Sequence, residues 1–153
     1  MPWARSGGST CGPSSLERVR IAFGTDEITA LTASVVTDLE GRGHIVERVA
    51  VGEAWPEVGR AVGQAVASGQ AERGVVCCWT GTGVSIAANK IPGVRAALCT
   101  DAATAQGARR WNDANVLAFG LRLTSPTVAQ EMVDAFLGVG PDDGELPVIS
   151  RVE

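Results

Sequence analysis

Residues 74–85 of the chain read GVVCCWTGTGVS. The first part, residues 74–79, is a short apolar run of the kind that forms a central strand buried on both faces. The glycine-rich remainder indicates a tight turn, and we expect a short helix over residues 86–90 after it. A buried strand that turns directly into a helix is typical of α/β sheets. This stretch therefore sets the fold prediction for the rest of the chain.

Strand and helix patterns alternate on both sides of this stretch. Apolar β-type runs predict further strands, and apolar residues at three-to-four spacing predict the helices between them. The strands are expected at residues 19–23, 44–51, 94–99 and 115–119, and the helices at residues 28–40, from Pro56 until Gly69, after Asp101, and from Pro126 until Gly138. We therefore predict an α/β protein with a three-layer, Rossmann-like fold and a roughly five-stranded parallel sheet.

The length of 153 residues fits a single domain. We assign residues 18–140 to this domain, residues 1–17 to a disordered extension rich in Gly, Ser and Pro, and residues 141–153 to an irregular tail. A chain that is 45% hydrophobic and 20% charged, with a net charge of −4, favours a soluble cytoplasmic protein without a basic surface for nucleic acid. No apolar run approaches the roughly 20 residues of a membrane span.

The cysteine pattern points to reduced thiols. Cys11, Cys77, Cys78 and Cys99 match no zinc-binding spacing, so we expect no metal site. Cys78 ends the predicted central strand and faces the glycine-rich turn, where a thiol can act as a nucleophile or a general base. Cys77 points to the opposite face of the strand and is expected in the core. The turn itself can bind an anion through its backbone N–H groups or serve only as a tight connection.

Ligands of open parallel sheets bind beyond the carboxyl ends of the strands. This rule brings together the loop of residues 24–27, the loop of residues 79–85 and the region of Asp101. Asn112 and Asp113 precede the fifth strand and lie at the opposite edge, so they reach such a site only across a subunit interface or by an unusual loop path. Asp26 has a second interpretation as the cap of the first helix.

Several sequence blocks carry a resemblance to a known family. They are CWTGTGVSIAANKIPGVRAAL at residues 78–98, WNDANVLAFG at residues 111–120 followed by Arg122, Gly24-Thr25-Asp26, and Trp55-Pro56-Glu57. Together they resemble the type B ribose 5-phosphate isomerases and the related galactose 6-phosphate isomerase subunits. The similarity spans residues 21–137, and the first two blocks at their spacing are far more specific than any short motif.

The resemblance implies an aldose–ketose isomerase without a metal or organic cofactor. Cys78 would be the base that moves a proton between C2 and C1 through a cis-enediolate, and Thr80 with its neighbours would donate N–H groups to the oxyanion. The family's sites form between two subunits, which implies a homodimer or a dimer of dimers in which the partner supplies Asn112. The implied binding residues for a sugar or sugar phosphate are Asp26, Glu27, Trp79, Gly81, Thr82, Gly83, Ser85, Trp111, Asn112 and Arg122.

The chain departs from the family pattern at two histidines and in its tail. Glu27 stands where the family has a histidine, and Trp111 replaces the histidine assigned to sugar-ring opening. The tail has only Arg151 where the family has several phosphate-binding arginines. One hypothesis is therefore an isomerase for a polyhydroxy substrate with a different or absent anionic group, and Arg95, Arg109, Arg110 and Arg122 are the candidate replacement contacts.

Two alternatives to an isomerase remain at this point. A non-catalytic sugar-binding or partner subunit would explain the missing histidines, although it leaves the retained Cys78 unexplained. A hydrolase that uses Cys78 as its nucleophile would need a nearby base, and only Asp26 or Glu27 is available. His44 is expected to be structural, and Asn89 is expected to end the short helix and support the loop.

Overall fold

A computed structural model describes residues 17–153 as alternating strands and helices. The strands are β1 (Arg20–Thr25), β2 (Ile45–Val51), β3 (Arg73–Cys78), β4 (Ala96–Leu98) and β5 (Val116–Gly120). The helices are α1 (Ala30–Gly41), α2 (Trp55–Ala67), α3 (Thr82–Asn89), α4 (Ala102–Asn112), α5 (Pro126–Leu137) and, after a 3-10 turn at Asp143–Glu145, α6 (Leu146–Ile149). The extension predicted at residues 1–17 lies outside the described residues except for Glu17.

The sheet has five strands in the order β2-β1-β3-β5-β4, and every pair is parallel. This confirms the predicted α/β fold with a parallel sheet covered by helices. Two apolar clusters fill the space on the two faces of the sheet. One contains residues of α1, α4 and α5, and the other contains residues of α2 and α3. No helix in residues 17–153 is both long and apolar enough to cross a membrane.

The central strand β3 contributes to both clusters because its side chains alternate in direction. Cys77 belongs to the cluster beneath α1, α4 and α5, whereas Cys78 belongs to the cluster beneath α2 and α3. The prediction that the adjacent thiols face opposite sides of the sheet is therefore confirmed.

The helix after β3 begins earlier than predicted. We expected residues 81–85 to form a loop and the helix to start at Ile86, but α3 runs from Thr82 to Asn89 and Gly81 is its N-cap residue. The glycines and threonine of this stretch have low helix propensity, which is why the sequence reads as a loop. Close packing on α2 overrides that preference. The helix ends at Asn89, as predicted, and the Asn89 side chain bonds the N–H and carbonyl of Ala96 in β4.

Other boundaries differ by small amounts. Strand β4 covers only Ala96–Leu98 of the run predicted at residues 94–99. The tail, expected to be irregular, contains the 3-10 turn and α6. His44 immediately precedes the edge strand β2, and its Nδ1 accepts a hydrogen bond from the Val19 N–H, in line with its predicted structural role.

The α2–α3 contact depends on glycines spaced by four residues. A Cβ atom at Gly59 would lie 2.6 Å from the Ala87 Cβ and 2.7 Å from the Val84 carbonyl oxygen. A Cβ atom at Gly63 would lie 2.9 Å from Ile91 Cγ1. Because these glycines have no side chains, α3 can approach α2 closely, and this approach fixes the position of the turn that follows Cys78.

Candidate active site

The strand register brings three chain segments together at the carboxyl edge of the sheet. Thr25 pairs with Cys77, and Cys78 pairs with Gly120. Asp26, which follows Thr25, is thus level with Cys78, and neighbouring strands are about 4.8 Å apart. The loops after β1, β3 and β5 meet around Cys78. The sequence predicted the first two of these loops, but it named the Asp101 region after β4 as the third.

The turn between β3 and α3 is shaped by tight contacts around Gly81. Its φ of 80° lies in the left-handed region, and a Cβ there would lie 2.6 Å from Leu98 Cδ1 and 2.7 Å from the Phe119 carbonyl carbon. Gly120 makes a similar approach from β5, since a Cβ there would lie 2.6 Å from the Thr80 carbonyl oxygen. The turn is therefore held from both β4 and β5.

The first amides of α3 have no acceptor in the part of the chain that the structure describes. Gly81 carries no side chain to cap the helix, and the N–H groups of Thr82, Gly83 and Val84 bond to no group in residues 17–153. Unpaired N–H groups at a helix start carry partial positive charge and favour an anion. Ser85 belongs to this first turn and donates its N–H to the Gly81 carbonyl at 3.3 Å.

Two hydroxyl groups form a pair at the mouth of the turn. The Thr80 and Thr82 Oγ1 atoms are 2.7 Å apart, and either can be the donor. Both residues are exposed, as is Trp79. Because each hydroxyl can donate and accept, the pair can pass a proton between two oxygen atoms of a bound molecule.

The two thiols of β3 differ in their surroundings. Burial raises the pKa of the Cys77 thiol to about 12, so it stays protonated at neutral pH. Its Sγ lies 3.9 Å from the Gly24 carbonyl oxygen. Cys78 is 5% exposed and is the last residue of β3, next to the Asp26 loop and the α3 turn. Cys78 is thus the thiol that adjoins the unpaired amides.

Asp26 does not cap the first helix. That cap is Thr29, which exchanges side-chain hydrogen bonds with Thr32 in a capping box. The Asp26 Oδ1 atom is buried and has no hydrogen-bond partner among residues 17–153. Buried carboxylate oxygens are usually paired, so this atom is available to a ligand donor such as a hydroxyl group.

Glu27 differs from Asp26 because its backbone is hydrogen-bonded to Thr25 and its side chain is exposed. The Thr25 hydroxyl donates to the Glu27 carbonyl at 2.7 Å and accepts from the Glu27 N–H at 3.3 Å, which fixes the backbone of the loop. The Glu27 side chain is exposed. It follows β1, two strands away from β5, so it is roughly 10 Å across the sheet from the residues after β5.

Arg122 follows β5 and lines a cavity of about 180 Å³ next to the turn. The cavity is bordered by Trp79 and Thr80 on one side and by Leu98 of the edge strand on another. The Arg122 side chain is exposed and forms no ion pair within residues 17–153, while the Arg122 backbone N–H donates to the Trp79 carbonyl at 2.9 Å. The guanidinium can therefore contact an anionic group beside the turn.

The other candidate arginines are engaged elsewhere. Arg109 is 2% exposed, pairs with Asp113 and donates to the Ala114 carbonyl. Arg110 pairs with Asp142, which holds its pKa above the ordinary value. Arg95 pairs with Asp113 and Glu153. Each of these guanidinium groups therefore already has a carboxylate partner within residues 17–153.

Trp111 and Asn112 lie at the opposite edge of the sheet from Cys78. They end α4, and the length of β5 separates this edge from Cys78 by about 13 Å. The Trp111 indole is 54% exposed and covers Gly107 of its own helix, where a Cβ would lie 2.6 Å from the ring. Asn112 is exposed and forms no side-chain hydrogen bond with the described residues. Neither residue reaches the site of its own chain.

One aromatic contact was absent from the predicted site. The Trp55 indole lies against Gly83, where a Cβ would be 2.8 Å from two ring carbons. The sequence contains a signal for this contact, because Trp55 begins the Trp-Pro-Glu block that resembles the family. In residues 17–153 no group of three or more His, Cys, Asp or Glu side chains could hold a metal ion.

Comparison with known proteins identifies the family. A family model described as Ribose/Galactose Isomerase matches residues 21–148. Ribose-5-phosphate isomerase B of Escherichia coli is 40% identical over 130 residues, which cover 82% of this chain and 87% of that protein. D-erythrulose-4-phosphate isomerase of Pectobacterium atrosepticum is 37% identical over 139 residues, covering 86% and 91%.

A solved structure agrees with these matches. Ribose-5-phosphate isomerase B of Clostridium thermocellum superimposes with a TM-score of 0.80 at 35% identity, covering 87% of this chain and 94% of that one. The residues 21–148 that match the family model contain β2 to β5, β1 apart from Arg20, and the loops that follow β1, β3 and β5. The chain therefore belongs to the ribose/galactose isomerase family of sugar-phosphate isomerases.

Proposed function

We propose that the chain interconverts an aldose phosphate and a ketose phosphate with Cys78 as the base. The observation that carries this proposal is the position of Cys78 between the buried Asp26 oxygen and the first amides of α3, none of which has a partner within residues 17–153. A base, a hydroxyl acceptor and an oxyanion site thus adjoin one another. These are the components that proton transfer next to a carbonyl requires.

The proposed reaction moves one proton between carbon atoms. The Cys78 thiolate takes the proton from C2 of the aldose, the C–H electron pair forms the C1=C2 bond, and the carbonyl pair moves to O1. The amides of α3 stabilise the negative charge on O1, a contribution of roughly 3–4 kcal/mol for each well-placed donor. Cys78 then returns the proton to C1 while the O2–H pair forms the C2 carbonyl and the O2 proton passes to O1.

Binding roles are proposed for the groups around Cys78. The Asp26 Oδ1 atom accepts a substrate hydroxyl, and the Thr80–Thr82 hydroxyl pair relays the proton between O2 and O1. Arg122 contacts the phosphate. Glu27 follows β1, two strands away from β5, so its backbone is roughly 10 Å across the sheet from that of Arg122. The phosphorylated substrates in the names of the relatives support a sugar phosphate over an uncharged sugar.

A second subunit completes the proposed site. Asn112 and Trp111 are exposed at the far edge of the sheet, so only a partner's copies can face Cys78. The exposed side chains of Trp79, Leu98 and Leu123 beside the edge strand provide apolar surface that a second copy would cover. We propose a homodimer or a dimer of dimers with shared sites.

Deuterium exchange tests the proposal directly. We would incubate the protein in D2O with tetrose, pentose and hexose phosphates and follow deuterium at C1 and C2 by NMR. We expect incorporation with at least one of them. Cys78→Ala should lower that rate by roughly a hundred- to ten-thousandfold, the usual contribution of a general base.

Cys77→Ala is the matched control, since it removes a thiol from the same strand but from the opposite face. It should retain exchange while losing roughly 1 kcal/mol of unfolding free energy. Absence of exchange with every phosphate, in a folded protein, would reject the isomerase and favour the non-catalytic sugar-binding subunit. A covalent substrate adduct on Cys78 detected by mass spectrometry would favour the hydrolase.

A further inference from the structure

The proposed site contains proton acceptors but no evident proton donor of intermediate acidity. Cys78 acts as the base, and Asp26 and Glu27 are carboxylates, which accept hydrogen bonds when ionised. Opening a cyclic sugar requires a proton donor at the ring oxygen and a base that takes the proton of the anomeric hydroxyl. Histidine is the side chain best suited to supply both at neutral pH.

The only histidine of the chain is unsuited to that role. His44 precedes β2, and its Nδ1 accepts the Val19 N–H at the amino edge of the sheet, far from Cys78. Burial and the nearby Arg42 guanidinium lower its pKa, although Asp38 opposes this, and the ring is neutral near pH 7.

A second copy of the chain adds no other imidazole. The edge that carries Asn112 also carries the amino end of β5, and β1 and β3 separate β5 from β2, so His44 lies roughly 14 Å away along that edge. Any assembly of identical chains therefore lacks an imidazole where a partner's Trp111 and Asn112 would enter the site.

We infer that the substrate is a sugar phosphate that cannot close into a ring, and that its natural class is the tetrose 4-phosphates. This inference rests on the proposed isomerase function. A pentose 5-phosphate closes a five-membered ring through its free O4, whereas O4 of a tetrose 4-phosphate carries the phosphate. The remaining hydroxyls would form only three- or four-membered rings. Such a substrate presents its carbonyl directly to the α3 amides.

The cavity of about 180 Å³ beside the turn, bordered by Thr80 and Arg122, can receive the phosphate group of the substrate. The exposed Trp111 indole, whose N–H donates hydrogen bonds but does not ionise at neutral pH, supplies an apolar face in place of an acid.

The dependence of rate on enzyme concentration tests the inference. With D-erythrulose 4-phosphate, the initial rate should remain proportional to enzyme concentration throughout. With D-ribose 5-phosphate, it should reach a plateau equal to the uncatalysed rate of ring opening, measured separately by magnetisation transfer on the 1-¹³C sugar. The 4-deoxy analogue of ribose 5-phosphate has the same length and charge but cannot cyclise, and it should show no plateau.

Each outcome has a definite meaning. Two results together support the inference. The kcat/KM for the tetrose phosphate and for the 4-deoxy analogue should each exceed that for ribose 5-phosphate by roughly a hundredfold, and the plateau should appear with ribose 5-phosphate. Turnover of ribose 5-phosphate that stays proportional to enzyme overturns it and leaves the isomerase function intact. Equal plateaus for ribose 5-phosphate and its 4-deoxy analogue also overturn it. Turnover of none of the compounds rejects the isomerase function itself.

Discussion

Individual residues at the site were predictable where backbone chemistry restricts the choice of amino acid. Gly81 has a left-handed φ and no room for a side chain, so its identity reports its conformation. Asp26 carried less information, because an aspartate after a strand serves equally well as a helix cap. The structure distinguishes a helix cap from a ligand-binding residue: Thr29 caps α1, and the buried Asp26 oxygen has no partner in the described chain.

Replacing Asp26 tests this distinction at the level of one atom. Asp26→Asn should lower kcat/KM by roughly ten- to a hundredfold, because it removes a charged acceptor for a substrate hydroxyl. Its unfolding free energy should not fall, since no hydrogen bond to the described residues is lost. Steady-state kinetics and urea unfolding of the same samples measure both quantities.

Thr29→Ala provides the comparison. It removes the cap of α1 and should cost about 1 kcal/mol of unfolding free energy while turnover is retained. If Asp26→Asn loses as much stability as Thr29→Ala and keeps its kcat/KM, Asp26 is a structural residue.

At the scale of helices and strands, existence and order were predictable and the contacts between helices were not. Apolar periodicity located every strand and the main helices, because burial of one face or both leaves a regular pattern. The start of α3 was missed because its glycines disfavour a helix in isolation. The close approach of α2 to α3 was also missed, since a glycine within a valine-rich helix is not distinguished by periodicity.

Gly59→Ala should reveal the importance of that approach. Intrinsic helix propensity favours alanine by about 1 kcal/mol, yet the new Cβ would meet Ala87 and the Val84 carbonyl at less than van der Waals distance. We expect a net loss of about 1–3 kcal/mol of unfolding free energy, the usual cost of overpacking. Because Val84 belongs to the first turn of α3, the isomerisation rate should fall as well.

Gly41→Ala is the matched control at the end of α1. A Cβ there has no neighbour within 4 Å, so only helix propensity changes and stability should rise. Thermal unfolding of both variants measures these two changes in stability. Equal gains in stability would show that α2 and α3 do not need the glycine contact.

For the whole molecule, the parallel sheet was predictable, its strand order was not predicted, and the composition of the site was only partly predictable. Alternating strands and helices require a parallel sheet, and a parallel sheet gathers its loops at one edge. Asn112 and Trp111 lie at the other edge, and a single chain contains no surface that brings them to Cys78. Their contribution therefore depends on an assembly that the sequence of one chain does not specify.

Mixing two inactive variants tests that assembly. Cys78→Ala and Asn112→Ala should each lose activity, because the first removes the base and the second removes the partner's contact. When the two are unfolded together and refolded as a mixture, half of the sites in each mixed dimer combine intact residues. About a quarter of wild-type activity should return for random pairing in a twofold-symmetric dimer.

Separately refolded samples that are combined afterwards under conditions without subunit exchange are the control and should stay inactive. Failure of the co-refolded mixture to regain activity, with mixed dimers demonstrated by native mass spectrometry, would show that Asn112 does not act across an interface.

The strand order also governs when the site takes shape as the chain is made. Strands β1, β2 and β3 are neighbours and can pair as soon as Cys78 has been synthesised. Strand β4 pairs only with β5, so it has no place in the sheet until Gly120 has left the ribosome. The turn at Gly81 rests on Leu98 of β4 and on Phe119 and Gly120 of β5. Its final geometry therefore waits for the synthesis of β5, and a nascent chain arrested before β5 would carry the thiol without the support of its turn.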